Sequence, residues 1–262
     1  MNEAAAFSED AFLGGRLRLR QPISGHRAGH DAILLAAATA VRPDDRVVDL
    51  GAGVGAAGLA VAARVGGLAL TLVEIDPDLA ALARHNAAAN AIPADVIVCD
   101  VSGEASALTG AGLAPDSVDV VLMNPPFNDP ARHRRSPDST RAMAHMSDST
   151  TLDAWIHAAR RMLKSGGALT LIWRADGAGE VLAALSRGFG SLVLLPVHGD
   201  VGKPAIRILV RAIKGGRAPL QILAGIALNP SPGQPNAVIE AAMAGQGTLP
   251  LAPNESQGER LR

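Results

Sequence analysis

Apolar and polar positions along this chain alternate between short apolar runs and longer amphipathic stretches. Residues 46–50, 69–74, 95–100, 118–123, 168–173, 192–197 and 205–212 read as strands, most of them apolar on both faces. Residues 56–65, 77–90, 152–163 and 179–187 read as helices. Pro77 suits a first helical turn, and Lys164-Ser165-Gly166-Gly167 stops the third helix with glycine just past its end. Strands with no polar face, alternating with helices, predict a mainly parallel sheet covered on both sides. Only residues 198–204 separate the last two strands, too few for a crossover, so that pair is expected to be antiparallel. The pattern predicts an α/β fold with a seven-stranded, mostly parallel sheet carrying one antiparallel strand.

The flanks differ from this body and divide the chain into segments 1–43, 44–215 and 216–262. In the first, Leu13-Gly14-Gly15-Arg16-Leu17-Arg18-Leu19-Arg20-Gln21-Pro22 alternates apolar and basic positions, as a hairpin does. Arg16, Arg18 and Arg20 are expected on one strand face, as a basic stripe that would suit RNA. A polar turn follows, with His30 or Asp31 expected to cap a buried helix over 32–40. The third segment has an apolar stretch at 220–228, a Pro/Gly/Asn linker and a short Ala-rich helix, and its last dozen residues are expected to be mobile.

Composition narrows the class. With 48% hydrophobic and 19% charged residues in 262, the chain is globular and long enough for a full core. A net charge of −1 gives no global pull toward nucleic acid, so an RNA partner would need a local basic patch. Arg132-His133-Arg134-Arg135 is one such cluster, diluted by Asp129, Asp138 and Asp148. The single cysteine, Cys99, cannot form an internal disulfide, which fits a reducing compartment, and its strand-like setting predicts an inert core thiol. No apolar run reaches the roughly 18–20 residues of a membrane span, and the N-terminus lacks the basic start of a signal peptide, so cytoplasm is the expectation. His85-Asn86 and His157 fall on expected surface helices with nothing nearby to complete a metal site, and Trp155 and Trp173 read as packing residues.

The chemistry gathers at strand ends. Asp49-Leu50-Gly51-Ala52-Gly53-Val54-Gly55 joins the first strand of the body to a helix, where the backbone must turn tightly and admit a ligand. With Ala56 the loop also satisfies the dinucleotide fingerprint, so by itself it does not separate a nicotinamide cofactor from S-adenosylmethionine. Asp49 does: a carboxylate there suits an ammonium better than a pyrophosphate. Glu74 would accept two ribose hydroxyls, Asp100 an adenine amine, and Val101 would pack or donate through its backbone. Asn124-Pro125-Pro126-Phe127 then ends the fourth strand stiffly. If the Asn124 side-chain oxygen and the Pro125 carbonyl each accept a hydrogen of an exocyclic amine, the nitrogen pyramidalises and its lone pair becomes available. Phe127 would stack on the base.

On these motifs the chain resembles class I S-adenosylmethionine-dependent methyltransferases with an Asn-Pro-Pro-aromatic turn. Through Gly15–Pro22, Gly29-His30-Asp31-Ala32-Ile33-Leu34-Leu35 and Val73-Glu74-Ile75-Asp76 it is similar, within them, to bacterial valine-tRNA adenine-N6 methyltransferases. The resemblance covers roughly residues 12–213 and implies a Rossmann-like fold, S-adenosylmethionine as methyl donor and tRNA as partner; neither a membrane nor a metal is expected. It also implies that Gly51, Glu74 and Asp100 contact the donor and that Asn124 is catalytic. That family often has Tyr at the position of Phe127. Rival readings are a release-factor glutamine-N5 methyltransferase, an rRNA guanine-N2 methyltransferase, a non-catalytic S-adenosylmethionine- or RNA-binding module, and a nicotinamide oxidoreductase.

Overall fold

The computed structural model describes residues 7–23, 27–126, 139–230 and 236–252, and only the backbone of 139–150. Phe127, Arg132, Arg134, Arg135 and the polar end of the chain lie outside the described residues. A two-stranded hairpin, β1 (Phe7–Phe12) and β2 (Leu17–Pro22), comes first, turning through a short 3-10 segment, Leu13–Gly15. After helix α1 (His30–Ala38), strands and helices alternate: β3 (Arg46–Leu50), α2 (Ala56–Arg64), β4 (Ala69–Glu74), α3 (Pro77–Ala89), β5 (Ala94–Val98), α4 (Ala105–Gly110), β6 (Val118–Met123), α5 (Ser139–Met162), β7 (Leu163–Arg174) and α6 (Ala178–Leu185). Strands β8 (Phe189–Asp200), β9 (Ala205–Lys214), β10 (Gln221–Ile222) and β11 (Ile226–Asn229) and helix α7 (Ala237–Met243) complete it.

The main sheet runs β10-β8-β9-β7-β6-β3-β4-β5, with β11 also on β8. Only β9 is antiparallel to its neighbours, β7 and β8. Its nine strands among the described residues exceed the expected seven because the 216–262 segment adds β10 and β11, both parallel to β8. Two cores flank the sheet. One joins α1, α2, α3, α7 and the hairpin; the other joins α4, α5 and α6. Helix α1, apolar all round, is buried from Ala32 to Ala38.

Several local expectations are corrected. Helix α5 begins at Ser139, so part of the polar stretch before residue 152 is helical. Residues 164–167 lie within β7, where the register on β6 shifts between Val118 and Val120. A short helix, α4, occupies part of the segment read as irregular after Asp100. Gly29 rather than His30 or Asp31 caps α1. Strand β5 is a sheet edge, so Val98 stays 48% exposed and Cys99 is half-buried rather than a core thiol. Asn86, read as a surface residue, is fully buried.

Candidate active site

Open α/β sheets bind ligands at the carboxyl ends of their strands, where the order reverses. Here the reversal lies between β3 and β6, and both chemical motifs sit there. Leaving β3, the chain turns with φ of +68° at Gly51 and +57° at Gly53, a region that disfavours side chains. A Cβ at Gly51 would collide with the indole of Trp155, whereas one at Gly53 would project into open space. Gly51 therefore lets α5 close over the loop, and Gly53 leaves backbone open to a ligand. Gly55 follows as the residue that precedes α2.

Asp49 on β3 is 2% exposed, and its Oδ2 accepts a 2.8 Å hydrogen bond from the Gly58 amide of α2. Glycine makes room for that approach: a Cβ at position 58 would lie 2.5 Å from Leu72 Cδ2 and 3.1 Å from the same oxygen. Burial pushes the Asp49 carboxyl up to about 7; the Gly58 bond opposes the rise and the nearby Glu74 charge adds to it. Glu74, also buried, braces the glycine loop: Oε2 accepts from Gly53 N at 2.7 Å and Oε1 from Asp76 N at 3.0 Å. Ile75 beside it is 60% exposed, an apolar face presented at a strand end.

A cleft of about 400 Å³ opens over these groups. Asp49, Gly51 and Gly53 line it together with Asn124, the amino end of α1, and Ile206 and Arg207 of β9. Asn124 Oδ1 is buried and, among the described residues, has no hydrogen-bond partner. At the mouth, Arg207 Nε meets Asp31 Oδ2 at 3.1 Å and ties β9 to α1.

The other expected site residues are placed less centrally. Glu74, Gly55, Asp100, Val101 and Pro125 are not part of the cleft lining, although Glu74 reaches it through Gly53. Asp100 lies two residues beyond β5, exposed, with Oδ1 accepting from Ser102 N at 2.8 Å, while Val101 is buried. The three hairpin arginines do not make one stripe. Arg16 sits in the turn and its guanidinium donates to the Gly245 carbonyl, Arg18 is exposed, and Arg20 pairs with Glu9 at 3.2 Å. Sequence reasoning missed Gly58, Ile75 and Arg207. An apolar residue directly after a strand-end acid was a usable signal for Ile75; the partners of Gly58 and Arg207 lie too far away in sequence to be read. Among the described residues, no group of three or more His, Cys, Asp or Glu could hold a metal, and no helix is long and apolar enough to cross a membrane.

Fold and cleft together define a doubly wound α/β protein with a glycine loop at the point where its strand order reverses and a polar amide beside it. The family profile described as "Methyltransferase small domain" matches residues 28–196. The chain belongs to that family and is a methyltransferase. A relative from Dickeya chrysanthemi, named tRNA1(Val) (adenine(37)-N6)-methyltransferase, is 28% identical over 202 residues, covering 76% of this chain and 77% of its own. One of the same name from Porphyromonas gingivalis is 30% identical over 171 residues, covering 64% and 66%. Among solved structures, one titled a predicted O-methyltransferase from Agrobacterium tumefaciens superposes with a TM-score of 0.70 at 34% identity, covering 86% of this chain and 99% of that one. A Thermus thermophilus 16S rRNA N2 methyltransferase, solved with AdoMet and guanosine, gives a TM-score of 0.56 at 20% identity, covering 80% and 50%.

Proposed function

We propose that this protein methylates the N6 amine of an adenine in tRNA, with S-adenosylmethionine as donor. The observation that carries the reading is the buried Asn124 Oδ1 at the cleft, unmatched among the described residues. A buried acceptor without a partner costs stability, and an amine donor entering the cleft would satisfy it.

The residues fit the donor. Gly53 leaves open space where a side chain would intrude. Asp49, poised near neutrality, would ionise against an α-ammonium. Glu74 spends two hydrogen bonds on Gly53 and Asp76, and a carboxylate has about four acceptor positions, so two remain for ribose hydroxyls. Ile75 would offer an apolar surface to the adenine ring, Asp100 would accept from its amine, and Val101 would pack or donate through its backbone. When bound, S-adenosylmethionine supplies an electrophilic methyl on a sulfonium.

The chain's own part is to make a poor nucleophile competent. Asn124 Oδ1 and the Pro125 carbonyl would accept the two N6 hydrogens, drawing the nitrogen lone pair out of conjugation with the ring. The two prolines restrict the backbone on either side of the Pro125 carbonyl and so hold that acceptor in place. Phe127 would stack on the base, a contact of roughly 1–3 kcal/mol, and positioning supplies much of the remaining rate. No base is required before transfer, because the methylated amine is acidic enough to lose its proton afterwards. The tRNA assignment rests on the relatives' names together with the Asn-Pro-Pro-Phe turn, and it puts the reaction in the cytoplasm. The test is methyl transfer to an unmodified valine tRNA transcript, followed by nucleoside mass spectrometry. N6-methyladenosine is expected; no methylated nucleoside under conditions where S-adenosylhomocysteine binds would refute the reading.

A further inference from the structure

A second cavity, of about 1080 Å³, lies at the amino ends of the parallel strands. It is separated from the cleft by the length of β3, five residues or about 16 Å. Arg42, Arg64, Lys164 and Arg211 line it, with Asp45 and Asp119. Four cationic groups against two carboxylates leave an excess of two positive charges. Both carboxylates are already engaged. Asp45 Oδ2 accepts from Arg42 N at 2.7 Å, and Asp119 accepts from Lys164 Nζ at 2.6 Å and from Arg46 N at 2.9 Å. Arg64 turns one nitrogen onto the Ala36 and Thr39 carbonyls that end α1, at 3.2 and 2.6 Å.

Arg211 has no such engagement. Its Nε is buried and, among the described residues, meets no acceptor. Thr170, directly opposite it in the β7–β9 register, likewise buries an Oγ1 that has no partner among the described residues. Two unmatched polar groups side by side in a sheet are uncommon, because buried polar atoms are nearly always paired. Burial also pulls the Arg211 and Arg64 guanidinium groups below their ordinary pKa, a cost that a bound anion would offset.

We propose that this cavity is a phosphate-binding site, with Arg211 as the principal contact and Arg42 and Arg64 beside it. A dianion matches the charge excess, and Arg211, which lines the cavity, carries a planar guanidinium that suits tetrahedral oxyanions through paired N–H bonds. The site is independent of the methyl-transfer cleft, so either assignment can fail alone.

The test is calorimetric titration of the full chain with sodium phosphate against sodium chloride at matched ionic strength. Saturable phosphate binding is expected. Arg211→Met should weaken it about tenfold, and Arg211→Lys, which keeps the charge and loses the fork, about threefold. Arg187→Met, an exposed arginine elsewhere, should bind as wild type does. S-adenosylhomocysteine affinity serves as the check on folding; if Arg211→Met fails it, Arg211→Lys and Arg42→Met carry the test. No phosphate binding beyond chloride by the wild type, or equal binding by the folded variants, would overturn the proposal. A short oligouridylate that displaces phosphate would identify a phosphodiester backbone as the source, and phosphate that is not displaced a free or monoester phosphate; either result upholds the site.

Discussion

Asn124 and Asp49 show how one cleft asks different things of two polar side chains. Asn124 Oδ1 is an acceptor held in reserve. On the proposed mechanism its loss should cost on the order of 10²–10³ in kcat, the size seen for a single preorganised polar group. Asn124→Ala should leave S-adenosylhomocysteine affinity nearly unchanged by calorimetry; a large loss of affinity would make Asn124 part of the donor pocket instead. Asp49 holds its proton up to about pH 7, against an ordinary 3.8. The native state thus binds this proton more tightly than the unfolded chain. Its contribution to stability is present below about pH 4 and lost as pH rises to about 7, at a slope of up to about 1.4 kcal/mol per unit. Ligand binding should run the opposite way. If Asp49 receives an ammonium, S-adenosylhomocysteine affinity rises from pH 6 to 8, and Asp49→Asn flattens that profile. A wild-type affinity already flat across this range would remove the ammonium contact. Sequence position alone pointed to both residues, because each ends a strand beside a turn. It did not indicate that Asp49 leans on Gly58, since a helical glycine carries no mark of its long-range neighbour.

At the scale of elements, the hairpin is fastened to α3 in a way that residue types concealed. Asn86 and Asn90 offer side-chain amides one helical turn apart. Asn86 Oδ1 accepts from Arg20 N at 2.8 Å and its Nδ2 donates to Arg20 O at 3.1 Å; Asn90 does the same with Arg18 at 2.9 and 2.8 Å. Four helical residues rise about 6 Å and two strand residues about 6.6 Å, so the amides stand in for a neighbouring strand along β2. Asn86 also donates to Val54 O at 2.9 Å, joining the hairpin to the glycine loop. Asn86→Ala should lower unfolding free energy by about 2–4 kcal/mol, and Asn90→Ala, at a half-buried position, by about 1 kcal/mol. Chemical denaturation with hydrogen exchange at the Arg18 and Arg20 amides would check both; unchanged protection would mean that packing alone holds the hairpin. The glycine loop yields a paired prediction. Gly51→Ala should destabilise the fold by about 2 kcal/mol or more through the Trp155 collision. Gly53→Ala should cost about 1 kcal/mol of backbone strain yet weaken donor binding more than its neighbour's change does. Equal effects of the two on affinity and Tm would show that the loop is structural only.

At the scale of the molecule, the alternation of apolar strands and amphipathic helices carried the architecture: a parallel sheet, both faces covered, and one reversed strand where the connection was too short to cross over. What the pattern missed were features set by partners far away in the chain. Strands β10 and β11 are too short to show a period of their own and exist because β8 offers them an edge. Val98 and Cys99 looked like core because a sheet-edge strand has the composition of an inner one. Of the hairpin arginines, Arg18 and Arg20 alternate on β2 as expected, while Arg16 falls in the turn; Arg16 bonds the Gly245 carbonyl, Arg20 pairs with Glu9 and Arg18 is exposed. The central claim is the nitrogen chemistry of the Asn-Pro-Pro-Phe turn, and it is tested most directly by mass spectrometry of tritiated or deuterated methyl transfer. Valine tRNA, ribosomal RNA and release factor would be presented in parallel to the wild type and to Asn124→Ala. The account predicts N6-methyladenosine in the tRNA with the wild type, formed about a hundredfold or more slowly with Asn124→Ala. Label on ribosomal guanine N2, on a protein amide or on an oxygen atom, with the tRNA left unmethylated, would contradict it.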